Sequence, residues 1–469
     1  MNIQSKKKQL IKNTGIIGIG TILSKLFTFL LLPLYTAYLT TSEYGYIDLL
    51  QTIANLLIPI LSLELYCAVF RFIIEEKDEK ARNKIIGTSF FINAGVVVLF
   101  LLVIAVLTVF FNFKNPVVFS VYFVSLMIFT SLQSTIRGYG NNKFFSIVSF
   151  FNTALALILN IVFIIVLKYN ALSILYAFSI SNTLAIIIIL IRMPLLKAIK
   201  LANSDKKIAN KMIKYSLPLI PNEISWWVAN TSDRLIISKV IGLSANGIYA
   251  VANKIPVIYT ALFGIFNTAW VEAVSRGIED DNSEEFINDM YKKCFKLFSC
   301  MCIGIICTMS VLFNILIGKD YIDSYIHIYI LMIAIFFNSL SSLIGSILTG
   351  YKETKIIGGT TIIGAVVNLI INILLIKCMG LYAASLSTLI SYIVIFIARN
   401  IRVNKIIKLE YPIKYILILL VNLIAVSIGY IYKIKILNIA LIIYLVIFSI
   451  VVNKDLLHDI ITMRKKNDM

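Results

Sequence analysis

The sequence predicts an all-α polytopic membrane protein of about fourteen transmembrane helices, built as two pseudo-symmetric six-helix lobes plus two C-terminal helices. Three observations predict it: an apolar composition, a one-sided distribution of basic residues, and an internal repeat. Of the 469 residues 59% are hydrophobic and only 14% charged, whereas soluble domains run at roughly 25% charged. A helical span needs about 20 predominantly apolar residues. Hydropathy and loop breaks place spans at about 13–39, 44–70, 85–111, 117–136, 144–167, 172–191, 215–241, 247–274, 296–317, 325–348, 356–376, 381–398, 414–432 and 436–452. The longest polar connections, near 71–84, 192–214, 275–295 and 399–413, leave no room for a soluble catalytic domain. The chain therefore reads as no enzyme and implies no cofactor.

The first span follows the basic start MNIQSKKKQLIKNTG. Its apolar run continues to Thr36 without a small-residue cleavage site, so it reads as an uncleaved span. With both termini cytoplasmic, the connections on that side hold 33 Lys and Arg, the opposite side six, and four lie within spans. This is a strong positive-inside bias. It accounts for the net charge of +19 as topology, with attraction to anionic lipid heads, and not as nucleic-acid binding. The six cysteines lie in or at the ends of spans with no ligand cluster around them, and read as core thiols. Two histidines, His327 and His458, are too few for a metal site, although His327 sits where it could titrate.

The repeat pairs RGYGNNKFFSIVSFFNTALALILNIVF (137–163) with TGYKETKIIGGTTIIGAVVNLIINILL (349–375) at a constant offset of 212. Gly138-Tyr139 falls on Gly350-Tyr351, Lys143 on Lys355 and Asn160 on Asn372. SEYGYI (42–47) pairs with SANGIY (244–249) at offset 202. Both equivalences link span n to span n+6. They divide the chain into an N-terminal lobe, 1–200, a C-terminal lobe, 205–405, and two extra helices with a cytoplasmic tail, 410–469. The basic linker from about 192, RMPLLKAIKLANSDKKIANK, reads as a surface helix. Six spans per repeat relate the halves by an axis along the membrane normal, as in transporters that rock two bundles around a site.

Ser42-Glu43-Tyr44-Gly45 after span one, Asp233-Arg234-Leu235-Ile236-Ile237 in span seven and GIYAVANKIP (247–256) opening span eight carry a resemblance. The sequence resembles the Wzx-type polysaccharide flippases of the multidrug/oligosaccharidyl-lipid/polysaccharide exporter superfamily over essentially its whole length. The resemblance implies alternating access in a bacterial plasma membrane, with a polyprenyl-diphosphate-linked oligosaccharide as cargo and other polysaccharide assembly proteins as partners. Alternatives within the superfamily are a cation-coupled multidrug antiporter and a flippase for lipid-linked peptidoglycan precursor. A membrane oligosaccharide polymerase is a different class, and the short outer loops argue against it.

Helical spacing sorts the polar residues of the spans into faces. Glu223, Trp227, Asn230 and Arg234 form one stripe of span seven, with Asp233 about a quarter turn away. Thr14, Thr21, Lys25 and Thr28 do so in span one, and Asp48, Gln51, Thr52, Asn55 and Ser62 in span two, although Pro59 shifts the phase beyond it. In span eight Asn253, Thr260, Gly264 and Asn267 share a face with Lys254 at its edge. These faces are expected to line a hydrated cavity. Lys25, Asn55, Trp227, Asn230, Arg234, Lys254 and Asn267 are the substrate-binding candidates, Lys25 and Arg234 for the diphosphate. An Asp233–Arg234 ion pair and a core-filling Trp227 are the structural alternatives. The sequence contains no Walker-type motif. Directional transport would then draw on a H+ or Na+ gradient or on consumption of the cargo, with Glu223, Asp48 and Asp233 as ion-coupling candidates.

Overall fold

A computed structural model describes residues 29–200, 203–277 and 283–456, with the side chains of 276–277 outside the description. Among the described residues there is no strand, and twelve helices are long and apolar enough to cross a membrane. The other two expected spans account for the difference from fourteen. Span one is described only from Phe29, as α1 (Phe29–Tyr38). Span seven is α9 (Ile220–Val240), long enough at 21 residues but carrying Glu223, Asp233, Arg234 and Lys239. The chain divides into two compact units, Met1–Ser238 and Lys239–Met469.

In the first unit, α2 (Thr41–Leu61) begins with a capping box. Glu43 of the Ser-Glu-Tyr-Gly motif accepts from the Thr40 amide at 2.9 Å, and its own amide donates to Thr40 Oγ1 at 3.3 Å. Span two was expected as one helix over 44–70. It breaks instead: α2 ends at Leu61, α3 (Leu65–Glu75) starts four residues later, and Leu63 and Glu64 take φ of 51° and 54°. Pro59 has no amide to give the last turn. The buried Glu64 carboxylate holds the break by accepting from Tyr66 Oη at 2.6 Å and Cys67 Sγ at 3.2 Å.

Behind the break lies a core of Leu65, Val69 and Ile73 with Ile85, Ile136 and Ile189. It joins α3 to α4 (Glu79–Phe111), α5 (Pro116–Gly138) and α7 (Ser173–Arg192). Between α5 and α7, α6 (Asn142–Ile161) runs into a π turn, Val162–Val166. The side-chain amide of Asn160 in α6 donates to Ala156 O of its own helix at 2.7 Å.

The linker departs from the expected surface helix. Pro194 and the extended backbone of Asp205 interrupt it, with a short 3-10 turn, Leu195–Lys197, preceding α8 (Lys206–Ser216) among the described residues. Asp205 caps α8, and the Ile208 and Lys207 amides hold its carboxyl below the usual carboxylate range. Thr88 of α4 receives the Asp205 amide at 3.0 Å and donates to Asn203 O at 3.3 Å. Beside it Gly87 has no space for a side chain, since a Cβ would stand 2.6 Å from Ala198 O. Because that neighbour is backbone, Gly87→Ala is expected to destabilise the protein by about 1–3 kcal/mol. Thermal unfolding in detergent measures it, and an unchanged midpoint would show that the linker yields freely.

The second unit holds α10 (Leu243–Gly277), α11 (Ser283–Leu316), α12 (Ser324–Gly350), α13 (Thr354–Met379), α14 (Leu381–Val403), α15 (Ile413–Ile431) and α16 (Lys435–Val452). α12 packs against both α10 and α14, while α15 and α16 pack on α11. The Tyr325 and Tyr430 rings stack at 4.0 Å, each hydroxyl donating to the other's carbonyl. The connection before α15 is fastened to α11 through Asn288, which donates to Lys408 O and accepts the Glu410 amide, and through the Lys292–Glu410 ion pair. That pair holds the Glu410 carboxyl below its ordinary value.

Candidate functional site

Arg234 of α9 lies against α2, the first half of the broken span two. Its Nε stands 3.4 Å from Asp48 Oδ2, and its Nη1 donates to Thr52 Oγ1 at 3.4 Å. Asp48 and Thr52 are one turn apart on α2, so both face the same strip of α9. Two turns before Arg234, Trp227 Nε1 donates to Thr52 O at 3.2 Å. Of the stripe read from span seven, Trp227 and Arg234 meet α2.

The carboxylate beside the guanidinium is Asp48. The neighbouring Asp233 is itself buried. Asp48 is 4% exposed at its side chain, while Arg234 retains 20%. Among the described residues Arg234 Nη2 has no hydrogen-bond partner, so the fork keeps a donor edge for an incoming anion. Asn230 is exposed, and its amide donates to Trp226 O at 2.7 Å. Asn55 is exposed on α2, and Glu223 is exposed near the start of α9, where the Asn222 amide donates to it at 3.5 Å.

Lys25, with the rest of its stripe, falls outside the described residues. Lys254 and Asn267 belong to α10 in the second unit, where both are half-buried. Asn267 Oδ1 accepts from Ser346 Oγ of α12 at 3.2 Å. His327, singled out for titration, is buried and its Nδ1 meets Ser385 Oγ at 3.0 Å. Among the described residues no group of three metal-ligating side chains occurs.

Sequence reading missed one strongly charged centre. Arg399 was tallied with the polar connection 399–413, yet it belongs to α14 and is 6% exposed. Its Nε donates to Thr360 Oγ1 at 3.1 Å, Nη1 to Ser341 O at 2.9 Å and Nη2 to Thr361 Oγ1 at 3.0 Å. No carboxylate pairs with it among the described residues. Gly345 makes the room, since a Cβ there would stand 2.8 Å from Nη1. The Thr360-Thr361 pair in an otherwise isoleucine-rich helix was the available signal.

Several solved structures share this fold. The lipid II flippase MurJ in an inward closed conformation is 15% identical, with 95% of this chain and 100% of that one covered and a TM-score of 0.64. An inward-facing multidrug resistance MATE family transporter of the MOP superfamily is 14% identical, with 81% and 95% covered and a TM-score of 0.67. A MOP superfamily transporter from Pyrococcus furiosus is 13% identical, with 85% and 96% covered and a TM-score of 0.56. At these identities the likeness is one of fold. No curated protein matches the sequence. The family described as polysaccharide biosynthesis protein matches residues 10–277, more than half of the chain and the whole stretch from α1 through α10. The chain belongs to that family.

Proposed function

We propose that the protein is a flippase that carries a polyprenyl-diphosphate-linked oligosaccharide from the cytoplasmic to the outer leaflet by alternating access. The observation that carries this reading is the guanidinium of Arg234, set in the expected span seven beside Asp48, with a donor edge that no described residue takes. A charge in a span is costly and marks a functional position. A diphosphate suits it, because guanidinium binds phosphate oxygens through two parallel N–H donors. Asp48 holds the arginine while no cargo is present, and phosphate replaces it when cargo arrives. The family description, a polysaccharide biosynthesis protein, supports a glycan as the cargo's head.

A second reading is a cation-coupled exporter, for which the buried Asp48 and Asp233 and the fold shared with a MATE transporter speak. Reconstituted vesicles separate the two. The flippase reading expects the purified protein to move a fluorescent polyprenyl-diphosphate glycan to the opposite leaflet and to leave a lipophilic cationic dye in place. Dye export without glycan movement would replace it with the second reading.

A further inference from the structure

At one end of the second unit, an open groove of about 590 Å³ lies between the beginning of α13 and the end of α14. We propose that this groove is a binding site for the phosphate headgroup of an anionic phospholipid. The charge distribution along the chain, on which this proposal rests, places that end on the cytoplasmic side. The site is separate from Arg234 and concerns a resident lipid, not the cargo.

Lys355, Arg402 and Lys405 stand on the groove, and no acidic residue lines it. None of the three cations forms an ion pair among the described residues. Three uncompensated cations with a planar guanidinium among them suit a phosphate monoanion. Helical spacing explains why they converge. Lys355, Gly359 and Ile363 recur every four residues along α13, Ala398, Ile401 and Arg402 share one face of α14, and Lys405 follows in the turn after it.

The inner half of the groove favours a lipid over a free phosphate. Ile363 and Ile401 line it and are 49% and 57% exposed, and Ile362 beside them is 53% exposed. From Lys355 to Ile363 is about 12 Å of helix, the reach from a headgroup to the first methylenes of its chains. The groove therefore runs from cations to a lipid-facing apolar surface. Gly359 keeps it open: a Cβ there meets nothing within 4 Å. In the sequence repeat Ile147 stands at the equivalent position, so the feature belongs to one lobe. Thr360 forms part of the wall, and its hydroxyl accepts from the buried Arg399, which adds a fourth positive charge behind it.

The full-length protein in detergent is titrated with phosphatidylglycerol or phosphatidylcholine, and bound lipid is counted by native mass spectrometry. Phosphatidylglycerol is expected to bind at least about tenfold more tightly. Replacing Lys355, Arg402 and Lys405 together by Gln should abolish the preference, at about fivefold per removed cation. If that variant does not fold, Arg402→Gln alone carries the test. Gly359→Leu retains every charge but fills the groove, and should lose the preference as well. Lys77→Gln with Lys80→Gln, on the first unit, should leave it intact. Wild-type selectivity in Gly359→Leu would overturn the proposal in favour of diffuse attraction to basic surface. Displacement of the lipid by an equal concentration of glycerol phosphate would reassign the site to free phosphates. Binding of a polyprenyl diphosphate tenfold more tightly than phosphatidylglycerol, lost in the same variants, would reassign it to the cargo.

Discussion

Arg234→Ala is expected to reduce glycan export by at least about 100-fold while the protein still inserts into the membrane. A hydrogen bond to a charged group is worth about 1.5–3 kcal/mol, and a diphosphate on the arginine fork makes two. Arg234→Lys should restore part of the activity, because the charge returns and the fork does not. The Ala variant also takes the guanidinium from the buried Asp48, and breaking a buried pair costs about 3–5 kcal/mol. Asp48→Asn combined with Arg234→Ala relieves that penalty and should raise the thermal unfolding midpoint without restoring export. The deciding comparison is the exchange of Asp48→Arg with Arg234→Asp, read by membrane level and by transport in vesicles. A cargo-binding arginine predicts a folded, inactive protein. Export by the exchanged variant would reduce the pair to a structural clasp.

The second large effect is expected at Arg399, and it concerns stability. Its guanidinium joins α14 to α12 through Ser341 O and to α13 through Thr360 and Thr361. Arg399→Ala removes these bonds and leaves a void beside Gly345, for an expected loss of about 3–5 kcal/mol. Gly345→Val should act on the same contact from the other side, forcing the guanidinium off its acceptors, at about 1–3 kcal/mol. Thermal melts in detergent measure both. The two losses should be far from additive, because each variant breaks the same contact. Full additivity would show that Gly345 and Arg399 act separately.

Composition, charge asymmetry and apolar run length carried the helical architecture, because burial in a bilayer leaves its mark on every residue of a span. Periodicity also placed Trp227 and Arg234 on one face, and both reach Thr52. The helix they meet was not legible, because spacing orders residues within a helix and says nothing of register between helices. Asp48, nearly two hundred residues away, illustrates this. Arg399 was obscured by its position at the end of a span, where hydropathy does not separate a wetted cation from one turned inward. The break at Leu63 and Glu64 escaped because neither is a turn residue. A left-handed backbone costs about 1–2 kcal/mol per residue, and the hydrogen bonds that Tyr66 and Cys67 give to Glu64 offset it.

That break has a mechanical meaning. A continuous span two would be a stiff rod, transmitting any tilt of its first half into the packed interior around Val69 and Ile73. With the rod cut at Ser62–Glu64, the segment that holds Arg234 and the segment seated in that core are separate helices. In the proposed cycle, the exchange of Asp48 for phosphate would be confined to a segment of 21 residues, with the core of the first unit as its anchorage.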